Sequence, residues 1–228
     1  MDSFGFLFKR FVLLGWMVAA SAGVRAGVEK WEPDIQAFEA ADRASTLSTG
    51  KVMLYGSSSF RLWTNVAAAF PGVPIVNRGF GGSQLSDLNA FYDRVVVPHA
   101  PQVLLVYGGD NDIAAGKSAD QVVQDFVALV EKVRRDLPQT RIAFVAIKPS
   151  PSRLKNLEDQ RLANARLSRF ATQRRRVDFL DVATPLLDRQ GRPDPKYFRS
   201  DQLHLNGDGY EQWRRIIGPY LSRWVRSK

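Results

Sequence analysis

Five short runs of valine, isoleucine and leucine recur along the chain, at Val52 to Tyr55, Pro74 to Val76, Val103 to Tyr107, Ile142 to Ile147 and Val177 to Leu180. Runs without polar alternation suit strands covered on both faces, as in parallel sheets. Stretches of helical spacing lie between and after them. Val122, Phe126, Leu129, Val130, Val133 and Leu137 share one stripe, opened by a Ser118-x-x-Gln121 capping box. Ala163, Leu167, Phe170 and Ala171 mark a second stripe; Trp213, Ile216, Ile217, Tyr220, Leu221 and Trp224 mark a closing helix, with a kink expected at Gly218-Pro219. Alternation of strand and helix predicts the α/β class, specifically a flavodoxin-like three-layer α/β/α sandwich with a five-stranded parallel sheet. Functional residues of such sheets gather beyond the carboxyl ends of the strands.

With 228 residues, 45% of them hydrophobic, the chain supports one substantial core. Residues 1–26 read as a signal peptide: Lys9-Arg10 precede an apolar run from Phe11 to Ala20, and small residues follow, with Ala20-Ser21-Ala22 and Val24-Arg25-Ala26 as cleavage sites. An uncleaved membrane anchor is the minor alternative. Residues 27–50 form a lead-in segment, and 51–228 a single domain. Export together with the absence of cysteine fits a bacterial periplasmic or secreted protein, and excludes disulfides, thiolate metal sites and cysteine nucleophiles. The formal charge of +9 remains basic once Lys9, Arg10, Arg25 and Asp2 are set aside. Much of the excess falls between Arg153 and Arg176, in an expected helix, as a solvated face or an attraction to an anionic envelope surface. No nucleic-acid module accompanies it, so nucleic acid is not an expected partner.

Polar clusters follow the apolar runs. Ser57, Ser58 and Ser59 come after Gly56 and read either as an N-cap cluster for a helix through Arg61 to Ala69 or as a source of a nucleophilic hydroxyl. The glycines of Asn77-Arg78-Gly79-Phe80-Gly81-Gly82-Ser83 allow backbone amides to approach a ligand, but their spacing is not a dinucleotide fingerprint, and there is no Walker lysine. Asn111 offers a neutral amide donor; its neighbours Asp110 and Asp112 suit turn or capping roles better than metal ligation. A hydroxyl needs an imidazole base and a carboxylate to orient it. Of the two histidines, His204 has Asp201 three residues before it. His99 sits in Val97-Pro98-His99-Ala100-Pro101 with no acid nearby in sequence. After the fourth run, Lys148-Pro149-Ser150-Pro151-Ser152-Arg153 reads as an exposed turn or a border of the site, where Lys148 or Arg153 would meet an anionic substrate group.

In these four blocks, from about Lys51 to Leu221, the chain resembles the SGNH hydrolases of the GDSL esterase/lipase superfamily. The resemblance implies Ser58 in Gly56-Ser57-Ser58 as nucleophile, with Asp201 and His204 of the D-x-x-H block completing a catalytic set. It implies an oxyanion hole from the Ser58 and Gly82 amides and the side chain of Asn111 in the G-x-N-D block. Ser57 stands where the family carries an aspartate, so Ser57 and Ser59 are the alternative nucleophiles. An α/β-hydrolase fits less well, because Phe60 occupies the second glycine position of G-x-S-x-G.

The implied activity is hydrolysis of carboxylic (acyl) esters through an acyl-enzyme, with neither metal nor cofactor required. Lysophospholipids, thioesters, simple acyl esters and acetylated sugars all fall within the resemblance, giving a small-molecule, glycan or lipid acyl ester as the expected substrate. The alternatives are an O-acyltransferase working through the same intermediate and a non-catalytic envelope-binding domain. Only a neutral imidazole accepts a proton, so activity is expected to rise with pH through about 6 to 7, the usual imidazole range. A pH–rate profile flat from about pH 5 to 8 contradicts the role given to His204.

Overall fold

The computed structural model describes residues 29–44 and 51–225. The leader expected over residues 1–26 lies outside them. In chain order the main elements are helix α1 (Glu32–Ala44), strand β1 (Val52–Gly56), strand β2 (Ile75–Gly79), helix α2 (Leu85–Val95), strand β3 (Val103–Tyr107), helix α3 (Ala119–Asp136), strand β4 (Arg141–Val145), helix α4 (Leu157–Thr172), strand β5 (Val177–Leu180) and helix α5 (Gly207–Trp224). All neighbouring strands pair in parallel, in the order β2-β1-β3-β4-β5. This is the order of a doubly wound, flavodoxin-like sheet, the architecture expected from the sequence, and its winding reverses between β1 and β3.

Successive strand residues serve opposite faces. Met53, Tyr55, Leu104, Val106, Ile142 and Phe144 belong to one core with residues of α1 to α4, whereas Val52, Leu54, Val103, Leu105, Tyr107 and Val145 join α5 on the other side. Burial on both faces explains why the sequence shows continuous apolar runs. Ser118 caps α3 by accepting from the Gln121 backbone N–H, and the Gln121 side chain accepts the Ser118 N–H in return, forming the capping box read from the sequence.

The α5 layer is aromatic. Trp213 is fully buried and meets Phe60, Trp63, Tyr107 and Tyr210, its ring centroid lying 5.2 Å from that of Tyr107. Trp63 stacks on Tyr210 at 5.1 Å. These contacts lie directly beneath the chain that leaves β1.

Helix α1 packs on α2 rather than standing apart. Ile35 is buried, Trp31 meets Phe80 edge-on at 5.6 Å, and Arg94 bridges Glu32 and Glu39. Asp42 lies between Arg78 and His99, whose Nε2 is 2.9 Å from Asp42 Oδ2. His99 therefore does have an acid partner, supplied by a helix too distant in sequence for local spacing to show.

Other local expectations shift. The helix expected through Arg61 to Ala69 is two single turns, Ser58–Arg61 and Val66–Ala69. Helix α5 runs unbroken through Pro219, because Trp213, Ile217 and Leu221 bury one continuous face across it. The basic segment leaves its helix at Thr172. Arg176, at φ 60°, turns the chain into β5, and its carbonyl accepts from Arg134. Among the described residues no helix is long and apolar enough to cross a membrane.

Trp213→Ala empties the centre of the α5 layer and is expected to cost about 3–5 kcal/mol in stability, read from urea unfolding. A loss below about 1 kcal/mol would show that this aromatic layer does not carry the fold.

Candidate active site

Strand β1 ends at Gly56, where an added Cβ would lie 2.2 Å from the carbonyl oxygen of Tyr107 on β3. Only glycine permits that approach. It lets the Ser57 N–H reach the Tyr107 carbonyl at 3.1 Å, which extends the sheet by one bond before the chain turns into Ser58–Arg61. Ser57 and Ser59 are buried, while Ser58 is partly exposed. Of the three hydroxyls offered by the sequence, Ser58 is the one facing an imidazole: His204 Nε2 lies 3.1 Å from Ser58 Oγ.

The other ring nitrogen, Nδ1, lies 2.7 Å from Asp201 Oδ2. An ionised carboxylate only accepts, so Nδ1 carries the proton and Nε2 is left as an acceptor for the hydroxyl. Asp201 Oδ1 also accepts the backbone N–H groups of Leu203 and His204, both at 2.9 Å. Partial burial by itself would raise the carboxyl pKa, but the His204 ring and these two amides hold it well below the usual range. Asp201 is accordingly ionised at neutral pH. Its side chain is 48% exposed and that of His204 23%, so the pair opens to solvent.

The loop carrying His204 is fixed at both ends. Its carbonyl accepts from Arg199 N at 2.7 Å, and Asn206 caps α5 by accepting the Gly209 N–H at 3.0 Å. Tyr210, one turn into α5, donates its hydroxyl to the Ser59 carbonyl at 2.8 Å. Hydrogen bonds thus link the serine turn to the histidine loop from below.

Gly82 follows β2 and is exposed, with φ 80°. A Cβ there would meet the Trp31 ring at 3.1 Å. Phe80 N donates to the Gly56 carbonyl at 2.8 Å, which seats this glycine turn beside the serine turn. Among the described residues, neither the Ser58 N–H nor the Gly82 N–H meets an acceptor. Asn111 closes the third side: its Nδ2 donates to the Ser83 carbonyl at 3.0 Å.

The carboxylates flanking Asn111 are committed elsewhere. Asp112 is fully buried and accepts from the backbone of Gly109 and Leu85 and from Lys117 Nζ at 3.0 Å, stapling the β3 loop to the start of α2. Desolvation raises its pKa, with Lys117 opposing. Asp110 takes the Gln160 amide at 3.0 Å and sits 3.4 Å from Lys148 Nζ and 2.8 Å from Arg153 Nη1.

Lys148, read from the sequence as part of an exposed turn, is only 1% exposed and points inward to Asp110. Burial pulls its ammonium below the ordinary lysine range, against the attraction of Asp110. It therefore cannot meet a substrate anion at the surface. Arg153 is turned the same way, with Nη2 donating to Asn111 Oδ1 at 3.0 Å.

A hydroxyl, an imidazole and a carboxylate in series at the carboxyl edge of a parallel sheet make an arrangement suited to nucleophilic acyl chemistry. The chain belongs to the GDSL-like lipase/acylhydrolase family, whose model matches residues 45–212, and is an ester-hydrolysing enzyme. The resemblance seen in the sequence is thereby borne out.

Solved structures share the fold. A Streptococcus pneumonia protein, provisionally described as a platelet activating factor, superposes with a TM-score of 0.75 at 22% identity, covering 90% of this chain and 99% of its own. A GDSL-like lipase from Bacteroides thetaiotaomicron gives 0.72 at 17% identity, covering 83% and 97%. A carbohydrate esterase family 3 protein from Talaromyces cellulolyticus gives 0.62 at 19%, covering 77% and 97%. No curated protein matches the chain in sequence.

Proposed function

We propose that the protein hydrolyses acyl esters by a two-step route in which Ser58 attacks the carbonyl carbon. His204 takes the hydroxyl proton as the C–O bond forms, then passes it to the departing alcohol as the tetrahedral intermediate collapses. Water repeats the sequence on the acyl-serine, releasing the acid and restoring Ser58. Asp201 keeps the imidazole in the required tautomer and stabilises its cationic form. The observation that carries this reading is the unbroken Ser58–His204–Asp201 hydrogen-bond chain, whose hydroxyl and imidazole lie at opposite ends of the domain sequence.

The Ser58 and Gly82 amides and the Asn111 side chain are the donors for the oxyanion, each worth about 3–4 kcal/mol of barrier when preorganised. Two N–H groups without acceptors at the turns flanking the serine support that role. For substrate, the reading favours an acyl ester on a small alcohol or a carbohydrate. The exposure of His204 and Asp201 leaves the reacting edge accessible to an ester carried on a bulky sugar, and the similar Talaromyces cellulolyticus structure is described as a carbohydrate esterase.

Ser58→Ala is expected to lower hydrolysis of p-nitrophenyl acetate on the order of 10⁴-fold or more and to abolish fluorophosphonate labelling. Ser57→Ala and Ser59→Ala should retain labelling; labelling that persists in Ser58→Ala and vanishes in either of the others would move the nucleophile. Asn111→Ala should reduce kcat about 100-fold. A value within a factor of two of the unsubstituted enzyme removes Asn111 from the mechanism.

A further inference from the structure

The loop after β4 carries charges that the reaction does not consume, yet they converge behind Asn111. Lys148, Asp110 and Gln160 are all almost fully buried there, and Arg153 joins them from the rim of the site with its side chain 20% exposed. Burying charges is expensive unless each has a partner, so such a cluster is held for what it positions.

Its output is one hydrogen bond. A guanidinium offers only donors, so the part of the Asn111 amide facing Arg153 must be its carbonyl oxygen, 3.0 Å from Nη2. That contact decides which way the amide is turned. It aims Nδ2 toward the Ser83 carbonyl, next to Gly82, and leaves the second Nδ2 hydrogen for another acceptor. The guanidinium in turn is held by Asp110, 2.8 Å from Nη1 in a charge contact too oblique to be a hydrogen bond. Asp110 is itself fixed by Gln160 and Lys148.

We propose that Arg153 is a positioning residue for ester hydrolysis: by donating to Asn111 Oδ1 it locks the amide in the orientation that presents Nδ2 to the developing oxyanion. The inference rests on the oxyanion role given above to Asn111. A cation on the carbonyl oxygen also polarises the amide and strengthens the N–H as a donor at the moment negative charge appears. The same loop reaches the other half of the site, because Ser152 N donates at 3.0 Å to the carbonyl of Gln202, which lies in the left-handed region between Asp201 and Leu203. One segment therefore contacts both the amide donor and the loop of the base.

Lysine is not an equivalent replacement. Arg153 spans Asp110 and Asn111 with the two ends of one planar fork, whereas an ammonium is a single point of charge on a flexible stem.

A double-mutant cycle with p-nitrophenyl acetate tests the proposal, using Arg153→Ala, Arg153→Lys, Asn111→Ala and the Asn111→Ala/Arg153→Ala pair. Arg153→Ala is expected to lower kcat about tenfold with KM within twofold, and to add less than about twofold in the Asn111→Ala background, since coupled residues are not additive. Arg153→Lys should recover part of the loss. Equal losses from Arg153→Ala in both backgrounds would show a general structural role and overturn the proposal. A change confined to KM would make Arg153 a substrate contact and overturn it too. Full activity in Arg153→Ala beside a crippled Asn111→Ala discards the inference and leaves the oxyanion assignment standing; full activity in Asn111→Ala discards both.

Discussion

Among the described residues the tightest glycine contact is that between the end of β1 and the carbonyl of Tyr107, where no side chain fits at Gly56. Parallel strands here end level, Gly56 pairing with both Gly79 and Tyr107, so three chains leave the sheet at one edge. Because the sheet reverses its winding between β1 and β3, the connections diverge from that edge and open a crevice. The serine turn, the glycine turn and Asn111 all occupy it. A side chain at residue 56 would push β1 away from β3 and break the bond from the Ser57 N–H to the Tyr107 carbonyl that sets the serine turn.

What holds the crevice in shape is a division between apolar support and polar alignment. Trp213, Trp63 and Tyr210 fill the space beneath the serine turn, and the Tyr210 hydroxyl fastens α5 to the Ser59 carbonyl. Above this layer, alignment passes to charge: Asp201 to His204, Asp112 to the amides of two loops, and Asp110 to Arg153. Each carboxylate accepts several donors at once, which makes its orientation stiff. An oxygen with several partners cannot rotate without losing them all.

The five strands and the helices of the Val122, Ala163 and Trp213 stripes were legible because they follow from repeating patterns: unbroken apolar runs for strands buried on both faces, and the Ser118–Gln121 spacing for a helix start. Asp201 and His204 were legible for a similar reason, since three residues of separation already bring carboxylate and ring together. Pairings across the fold left no such trace. Nothing in the spacing joins Asp42 to His99, Lys148 to Asp110 or Arg153 to Asn111, because each depends on where two separate elements dock. The error over Lys148 has that origin: a lysine among prolines and serines reads as solvent-exposed until a buried acid is found opposite it. The continuation of α5 beyond Pro219 also depends on docking, as the apolar face packed against the sheet outweighs the one hydrogen bond that proline removes.

The packing of Trp31 has a consequence for how the chain begins. Its ring rests against Phe80 and would touch any side chain placed at residue 82, so a residue some twenty positions ahead of the first strand forms part of the floor under the glycine turn. A protein trimmed back to β1 would keep every residue of the proposed chemistry and still lose the support on which one of its amides rests. The amino-terminal segment is thus less a leash than a foundation stone.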